Sequence, residues 1–538
     1  MSFTLKIQTL EKKYKLNLES FNFARRQLNR ELLTTEEFDI VVVGGGIVGT
    51  AFVNQASHAG LKVALLEASH FGSGTSSRTS KLIHGGLRYL EQWDFKLVFE
   101  SLKERSWLLK HNGHLVKKLP FVFPIYKGDR IPKWKMSLGF WLYDCLSLFK
   151  GGKHTFLNTK AILKKYPHLK AENLQGAFLY TDAQMNDVAV TRANLLSSHK
   201  QGAVLSNYSE VIKIETVASA EQTTKTNAEQ PTNANAEQST KTNASKNPSQ
   251  AVNKIQVYDK LLNQNFSITA KHVLLSLGPW TDIVGKKLFS NWKPFLSLSQ
   301  GSHVYIKKER LFCEEAIVIN SNKDGRIIFV IPSGEYTLVG TTETPFYKDP
   351  SLAKTEEEDI QYLLSEVNAF FPNKNLQKKD CVSYFSGVRP LVATTNKSNG
   401  VKSREHWIGL VAQHVSMVVG GKFTTHRKMS KDIINHIYKA NKSIKKTSQK
   451  KLDTLPNLES PKDVISAAAD AIEKGMCFYL SDFFQYHTTL DMRQKLTTKV
   501  LCKVEALFAH KYFWTSEELE KQKQSLAKYF KDCGIKLH

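Results

Sequence analysis

No two of the six cysteines, at 145, 313, 381, 477, 502 and 533, stand in a C-x-x-C pair, so neither a redox couple nor a metal ligand set is expected from spacing, and a reducing cytoplasm suits the chain. Long apolar runs are missing as well. Charges interrupt the opening MSFTLKIQTLEKKYKLNLES before it reaches signal-peptide length, and every later run stops well short of a membrane span. Acidic residues are in deficit: 50 Asp and Glu against 75 Lys and Arg give a formal net charge of +25. That excess calls for an anionic partner, either nucleic acid, an anionic lipid surface or an acidic small molecule. Helix-turn-helix, zinc and aromatic RNA-reading motifs are absent, so no nucleic acid is expected.

What is present is enough to bury a large core. The chain has 538 residues, 41% of them hydrophobic. Residues 1–37 are mixed-charge and read as a solvated N-terminal extension. From Phe38 the pattern is strand, turn, helix, strand: FDIVVV, GGGIVG, TAFVNQASHAG, LKVALLEAS. Gly44, Gly46 and Gly49 make G-x-G-x-x-G between the first strand and the helix, where the glycines permit a tight turn, a close pyrophosphate and close helix packing. Glu67 ends the second strand, placed to accept from ribose hydroxyls.

Residues 217–251 are nearly free of large apolar side chains and repeat NAEQ and TKTNA, so disorder is expected. SEVIKIET before them and NKIQVYDKLL after them read as neighbouring strands whose hairpin loop carries the insert. Beyond about residue 454 amphipathic helical patterns take over, and 455–538 read as a helical C-terminal domain behind an interleaved 38–454. Residues 131–150, IPKWKMSLGFWLYDCLSLFK, set Trp134, Leu138, Trp141, Leu142, Cys145 and Phe149 on one stripe; by pattern alone this suits a buried helix and an interfacial one equally. The lysine-rich KANKSIKKTSQKK could add attraction to anionic lipid or be a plain solvated stretch.

The stretch SSRTSKLIHGGLRYLE, followed in register by GSHVYI, IIFVIP, VGTTET, SGVRPL and GGKFTTHRK, resembles the FAD-dependent glycerol-3-phosphate dehydrogenase family. The resemblance spans roughly residues 38–428. It implies an α/β fold, with a Rossmann-like FAD-binding domain, an antiparallel-sheet substrate domain and a helical C-terminal domain. It further implies FAD as cofactor, glycerol 3-phosphate as substrate and a membrane quinone as acceptor. The expected location is cytoplasmic, peripheral on the cytoplasmic face of the inner membrane, with a homodimer left open. Similar segments in the family meet membranes, which favours the interfacial reading of residues 131–150.

The site residues follow from the same resemblance. Gly44, Gly46, Gly49, Glu67, Ser76, Ser77, Ser80, Lys81, Leu82, Gly278, Gly421, Lys422 and Thr424 are expected at the cofactor. Arg88, Arg389, Arg404 and Lys422 are the anion-binding cations, Tyr89 lies beside Arg88, His84 or His303 accepts the proton with His84 favoured, and Thr341 and Thr342 edge the substrate side. No metal is expected. The chain departs from the family pattern at Gln300, usually lysine, at Leu275–Trp280, and at Gln485, Tyr486, His487 and Thr488 in the tail. An oxygen-using glycerol-3-phosphate oxidase, an amine oxidase or a degenerate flavin-binding scaffold are the rival readings.

Overall fold

The computed structural model describes residues 3–17, 19–218, 251–321, 323–393, 406–444, 455–456 and 461–536. Two sheets organise the chain. The first comprises β1 (Glu37–Val43), β2 (Val63–Leu66), β7 (Val204–Ser206), β8 (Ser209–Ala218), β9 (Ala251–Asp259), β10 (Gln264–Leu275), β17 (His406–Ala412) and β18 (Val415–Gly420). Its centre runs β18-β10-β1-β2-β7, all parallel. The runs IVVV and VALL are apolar at every position because both faces are covered. Helix α3 (Ile47–His58) and the helix His426–Ala440 pack Phe52, Val53, Met429 and Ile433 on one face.

The second sheet comprises β3 (Leu82–Ile83), β4 (Val116–Tyr126), β5 (Thr155–Leu157), β6 (Leu174–Met185), β11 (Leu296–Lys307), β12 (Ala316–Asn320), β13 (Ile327–Ser333), β14 (Tyr336–Gly340), β15 (Thr344–Pro345) and β16 (Cys381–Val392). It is antiparallel apart from β4 with β12. Residues 75–81 lace the two sheets together: Thr75 donates to the Val388 carbonyl at 2.5 Å, and Gly387 lies against Arg78 so closely that a Cβ would meet it at 2.8 Å.

The N-terminal stretch is not the solvated extension its charges suggest. Helix α1 (Phe3–Lys13) leads to α2 (Phe23–Thr35), which buries Leu28, Leu32 and Leu33 against the first sheet. Arg26 is fully buried because its guanidinium forks onto Asp259 at 2.9 and 3.1 Å and donates to the Asn207 carbonyl, while Arg30 reaches the same carboxylate at 2.8 Å. Removing one partner of a pair desolvated this far would strand a charge, at a cost of about 3–5 kcal/mol.

β8 and β9 form an antiparallel hairpin out to Ala218 opposite Ala251, so the ends of the insert expected to be disordered over 217–251 are paired strand instead, and its remainder, 219–250, lies outside the described residues. Toward the C-terminus the helices Val464–Lys474, Leu480–Tyr486, Leu490–Gln494, Thr498–Tyr512 and Ser516–Asp532 close around Phe483, Phe484 and Phe508. No described helix is long and apolar enough to cross a membrane. Helix α4 (Phe95–His111) covers β4 and β6, and beside it α5 (Lys133–Leu146) presses Met136, Phe140 and Tyr143 inward. Trp134 stays 71% exposed, and Leu138 and Trp141 57% each. The tryptophan stripe is therefore the outer face of α5, not its core face.

Candidate active site

Four parallel strands deliver their C-terminal ends to one crevice, the place where doubly wound sheets bind ligands. β1 is followed by Gly44, β2 by Glu67 and β10 by Ser276, and β18 ends at Gly420 with Gly421 next. Gly44 has φ +107° and lies so close to the Ser276 carbonyl that a Cβ would stand 2.4 Å from it; at Gly49 a Cβ would meet the Gly44 carbonyl at 2.0 Å. The turn tolerates no side chain at either point. Gly46 caps α3 without a side-chain bond, so the helix N-terminus keeps backbone donors for an anion, while the buried Ser76 hydroxyl accepts from Ile47 N–H at 2.9 Å.

Glu67 accepts from Gly45 N–H at 2.7 Å and Ser69 N–H at 2.8 Å. Burial pushes its carboxyl up from the ordinary range and those two amides oppose the shift. Gly278, at φ +54°, opens onto free space, with nothing within 4 Å of a Cβ. A glycine turn, an uncapped helix start, a half-buried carboxylate and an open glycine suit an adenine dinucleotide. Of the other expected cofactor residues, Ser77 donates to Gly74, Leu82 is buried in the core, Thr424 is buried, and Gly421 sits at φ +85° against Met429. The Lys81 ammonium is held by Asp187 at 2.6 Å, and its backbone is strained at φ +58°.

The second sheet supplies the opposite wall. His303 on β11 is buried, stacks on Phe385 at 4.8 Å, meets Ser80 Oγ through Nε2 at 2.9 Å, and has Nδ1 buried without a hydrogen-bond partner. Burial, then Arg389 and Lys81, hold its pKa down at about 3, so the ring is neutral at working pH. Arg389 on β16 donates to Thr341 Oγ1 at 2.7 Å and to the carbonyls of Gln300 and Thr342 at 3.3 Å. Gly301 makes room for it, since a Cβ there would stand 2.1 Å from the guanidinium. Gln300 spends its side chain on the Lys354 carbonyl at 2.9 Å and adds no charge.

Lys422 caps the turn after β18 and sets its ammonium 3.7 Å from the centre of the Tyr89 ring, close beside Gly86. His84 lies on the same stretch, its ring 6.4 Å from Phe329, which pairs with Gly340, which in turn pairs with His303. The wall therefore gathers His84, Tyr89, His303, Arg389 and Lys422. Arg404 lies outside the described residues, and Arg88 is described only as backbone in the turn Leu87–Gln92.

Sequence reasoning passed over the supports of this wall. Tyr143 and Asp182 hold Gly85, Asp187 holds Lys81, and Ser276 donates to the Gly44 carbonyl at 2.9 Å. None of these pairs is local in the chain, so no spacing could reveal them.

Comparison with known proteins agrees with this geometry. The family described as "FAD dependent oxidoreductase" matches residues 39–420. The chain is 33% identical over 416 residues to the aerobic glycerol-3-phosphate dehydrogenase of Staphylococcus aureus, covering 77% of this chain and 69% of that protein. In structure it resembles the glycerol-3-phosphate dehydrogenase from Bacillus halodurans complexed with FAD, with a TM-score of 0.73 at 22% identity over 96% of this chain and 98% of the other. It also resembles the L-α-glycerophosphate oxidase of Mycoplasma pneumoniae with FAD bound, with a TM-score of 0.56 at 15% identity over 79% and 100%. With its crevice, its family match and a relative of that identity and coverage, the chain belongs to the FAD-dependent oxidoreductases, in the glycerol-3-phosphate dehydrogenase family, and uses FAD.

Proposed function

We propose that this protein oxidises sn-glycerol 3-phosphate to dihydroxyacetone phosphate on a membrane surface and passes the electrons to a quinone. The observation that carries the reading is the pair of cations, Arg389 and Lys422, on the wall that also holds His84 and the neutral His303. A phosphate dianion on a three-carbon substrate needs such cations, and they would be wasted on an amine.

FAD, when bound, supplies the two-electron acceptor for the hydride leaving C2. Arg389 holds the phosphate with a fork already braced by Thr341 and Gln300, so little side-chain freedom is lost on binding. Lys422 serves as a point charge, with Arg88 and Arg404 as further anion contacts, and Tyr89 fixes the Lys422 ammonium by its ring face. His84 takes the proton from the C2 hydroxyl. His303 cannot share that role easily, because a proton on it faces Arg389 and Lys81 in a buried setting; it orients Ser80 instead. The cationic field also lowers the hydroxyl pKa, so the base need not be strong.

Docking rests on α5, whose outer face presents Trp134, Leu138 and Trp141 with Lys133 and Lys135 among them. A quinone dissolved in the bilayer reaches the site only from a docked enzyme. The test is anaerobic addition of glycerol 3-phosphate to the purified yellow protein, which should bleach the flavin, followed by reoxidation with a short-chain quinone or with oxygen. Fast reoxidation by quinone and slow peroxide release are expected. Stoichiometric peroxide at full speed would make the protein an oxidase, and no bleaching would overturn the substrate.

A further inference from the structure

We propose that His70, Cys477 and His487 form a binding site for one divalent transition metal of the zinc class, fastening the helical C-terminal region to the nucleotide-binding sheet. Their candidate ligand atoms all lie within 4.8 Å of one another. His70 and Cys477 are essentially inaccessible, and His487 is only 9% exposed. His70 comes from the loop after β2, Cys477 from the loop after the helix Val464–Lys474, and His487 from the end of the helix Leu480–Tyr486.

The ring of His70 is already set in a ligand orientation. Its Nδ1 lies 2.9 Å from the Phe71 carbonyl, which can only accept, so Nδ1 carries the hydrogen and Nε2 keeps a bare lone pair in the neutral ring. Tyr486 stacks on that ring at 4.7 Å and locks its plane. The Nε2 atoms of His70 and His487 face each other at 3.1 Å. A zinc ion with bonds of about 2.0–2.1 Å to nitrogen and about 2.3 Å to sulfur needs tetrahedral edges of about 3.3 Å between nitrogens and about 3.6 Å from nitrogen to sulfur. The nitrogen edge stands near that length before any ion enters.

Without an ion the pair is poorly served. If His487 donates from Nε2 to His70, its Nδ1 becomes a lone pair buried without a partner, and Nδ1 is in fact buried without a hydrogen-bond partner. If the hydrogen sits on Nδ1, two lone pairs confront each other at 3.1 Å. A cation shared with a thiolate answers both. The Cys477 Sγ stands 3.6 Å from the Tyr479 carbonyl, and a metal entering the cluster takes the place of its proton. His2Cys suits borderline-soft ions of the zinc type better than magnesium or calcium. A small cavity against His70, Phe71, Arg192 and Gly475 leaves room beside the cluster.

The experiment uses the full chain with FAD bound, stripped with a chelator and titrated with Co²⁺ as probe. One cobalt per chain with an intense near-ultraviolet thiolate-to-cobalt band is expected. The band should vanish in Cys477→Ser, and apparent affinity should fall at least tenfold in His487→Gln, with flavin content unchanged in both. Zinc should compete the band away and raise the melting temperature of the stripped wild type. Stripped, folded wild-type protein that develops no thiolate band overturns the site without any variant having to fold, and equal cobalt affinity in all three proteins overturns it as well. The outcome does not depend on the substrate assigned above.

Discussion

The hydroxyl of Tyr143 accepts from the backbone N–H of Gly85 at 3.0 Å and donates to the Asp182 carboxylate at 2.8 Å. Tyr143 lies on the inner face of α5, whose outer face carries Leu138 and Trp141, while Gly85 follows His84 directly. One side chain thus joins the surface helix to the stretch that carries His84. Arg105 reaches Asp182 as well, so the node is fully engaged.

Tyr143→Phe should keep the fold, because the ring stays in its aromatic cluster, but leave Gly85 N–H with only its longer bond to Asp182 Oδ1 at 3.3 Å. The expected cost is about 1–2 kcal/mol at the loop. Steady-state kinetics should show kcat/KM for glycerol 3-phosphate lowered roughly five- to thirtyfold at unchanged flavin content. A loss of rate that only tracks lost flavin would reduce Tyr143 to a packing residue.

Arg389→Ala and Lys422→Ala should each lower kcat/KM at least tenfold, about 1.4 kcal/mol of transition-state binding, with glycerol itself remaining a poor substrate of every form. Arg389→Lys should recover little, since the braced fork to Thr341 and Gln300 needs a guanidinium. Unchanged kinetics in both alanine variants would put the phosphate elsewhere.

Trp141→Glu with Leu138→Glu should release the protein from anionic vesicles in a flotation assay while FAD and dye-linked activity persist, because both side chains are mostly exposed. Salt should weaken wild-type binding without abolishing it, as it screens the lysines and leaves the apolar contact. Unfolding of the double variant would contradict the outward face.

Replacing residues 219–250 by a short Gly/Ser turn should leave flavin content and turnover nearly intact, because Ala218 and Ala251 are paired across the hairpin and a two- to four-residue turn closes such an end. Insoluble protein or lost flavin would show that the insert contributes to the fold.

Burial holds His272 and His303 at about 3 and His426 at about 4. Below an unfolded-state pKa near 6.5 the unfolded chain takes up protons that the native state refuses, so stability present above pH 6.5 drains away as pH falls toward 4. Each histidine contributes on the order of 1 kcal/mol per pH unit in that window. Urea midpoints should be flat from pH 7.5 to 6.5 and decline between 6.5 and 4.5, above the range where carboxylates add their own loss; a flat midpoint down to 4.5 would contradict the buried neutral rings.

The glycine turn was legible because its signal is local. Gly44, Gly46, Gly49 and Glu67 fall within one strand, turn, helix and strand, and each glycine has a steric reason the spacing already implies. The hairpin was legible from two alternating segments around a stretch nearly free of large apolar side chains. The N-terminal helices were misread because Arg25, Arg26 and Arg30 look solvated, and the partner that allows Arg26 to be buried, Asp259, lies 233 residues away. The tryptophan stripe of α5 was visible, but Met136, Phe140 and Tyr143 make a second apolar face, and pattern alone cannot say which of two faces turns inward. Lys422 meeting Tyr89, or His70 meeting His487, depends on how elements distant in the chain pack together, which no window of sequence contains.

The strand order sets a timetable for synthesis. β1 leaves the ribosome early and can pair with β2 at once, but its other edge waits for β10, and β10 in turn waits for β18, more than three hundred residues after β1. Through that interval the growing chain carries an apolar strand with an open edge, the form of nascent protein most prone to sticking to itself. The crevice is complete only once Gly278 and Gly421 have joined Gly44, so on the proposed placement of FAD in that crevice, cofactor capture comes at the end of this wait and stabilises a sheet that has just closed. In a cell short of riboflavin, the amount of this protein should fall along with its activity.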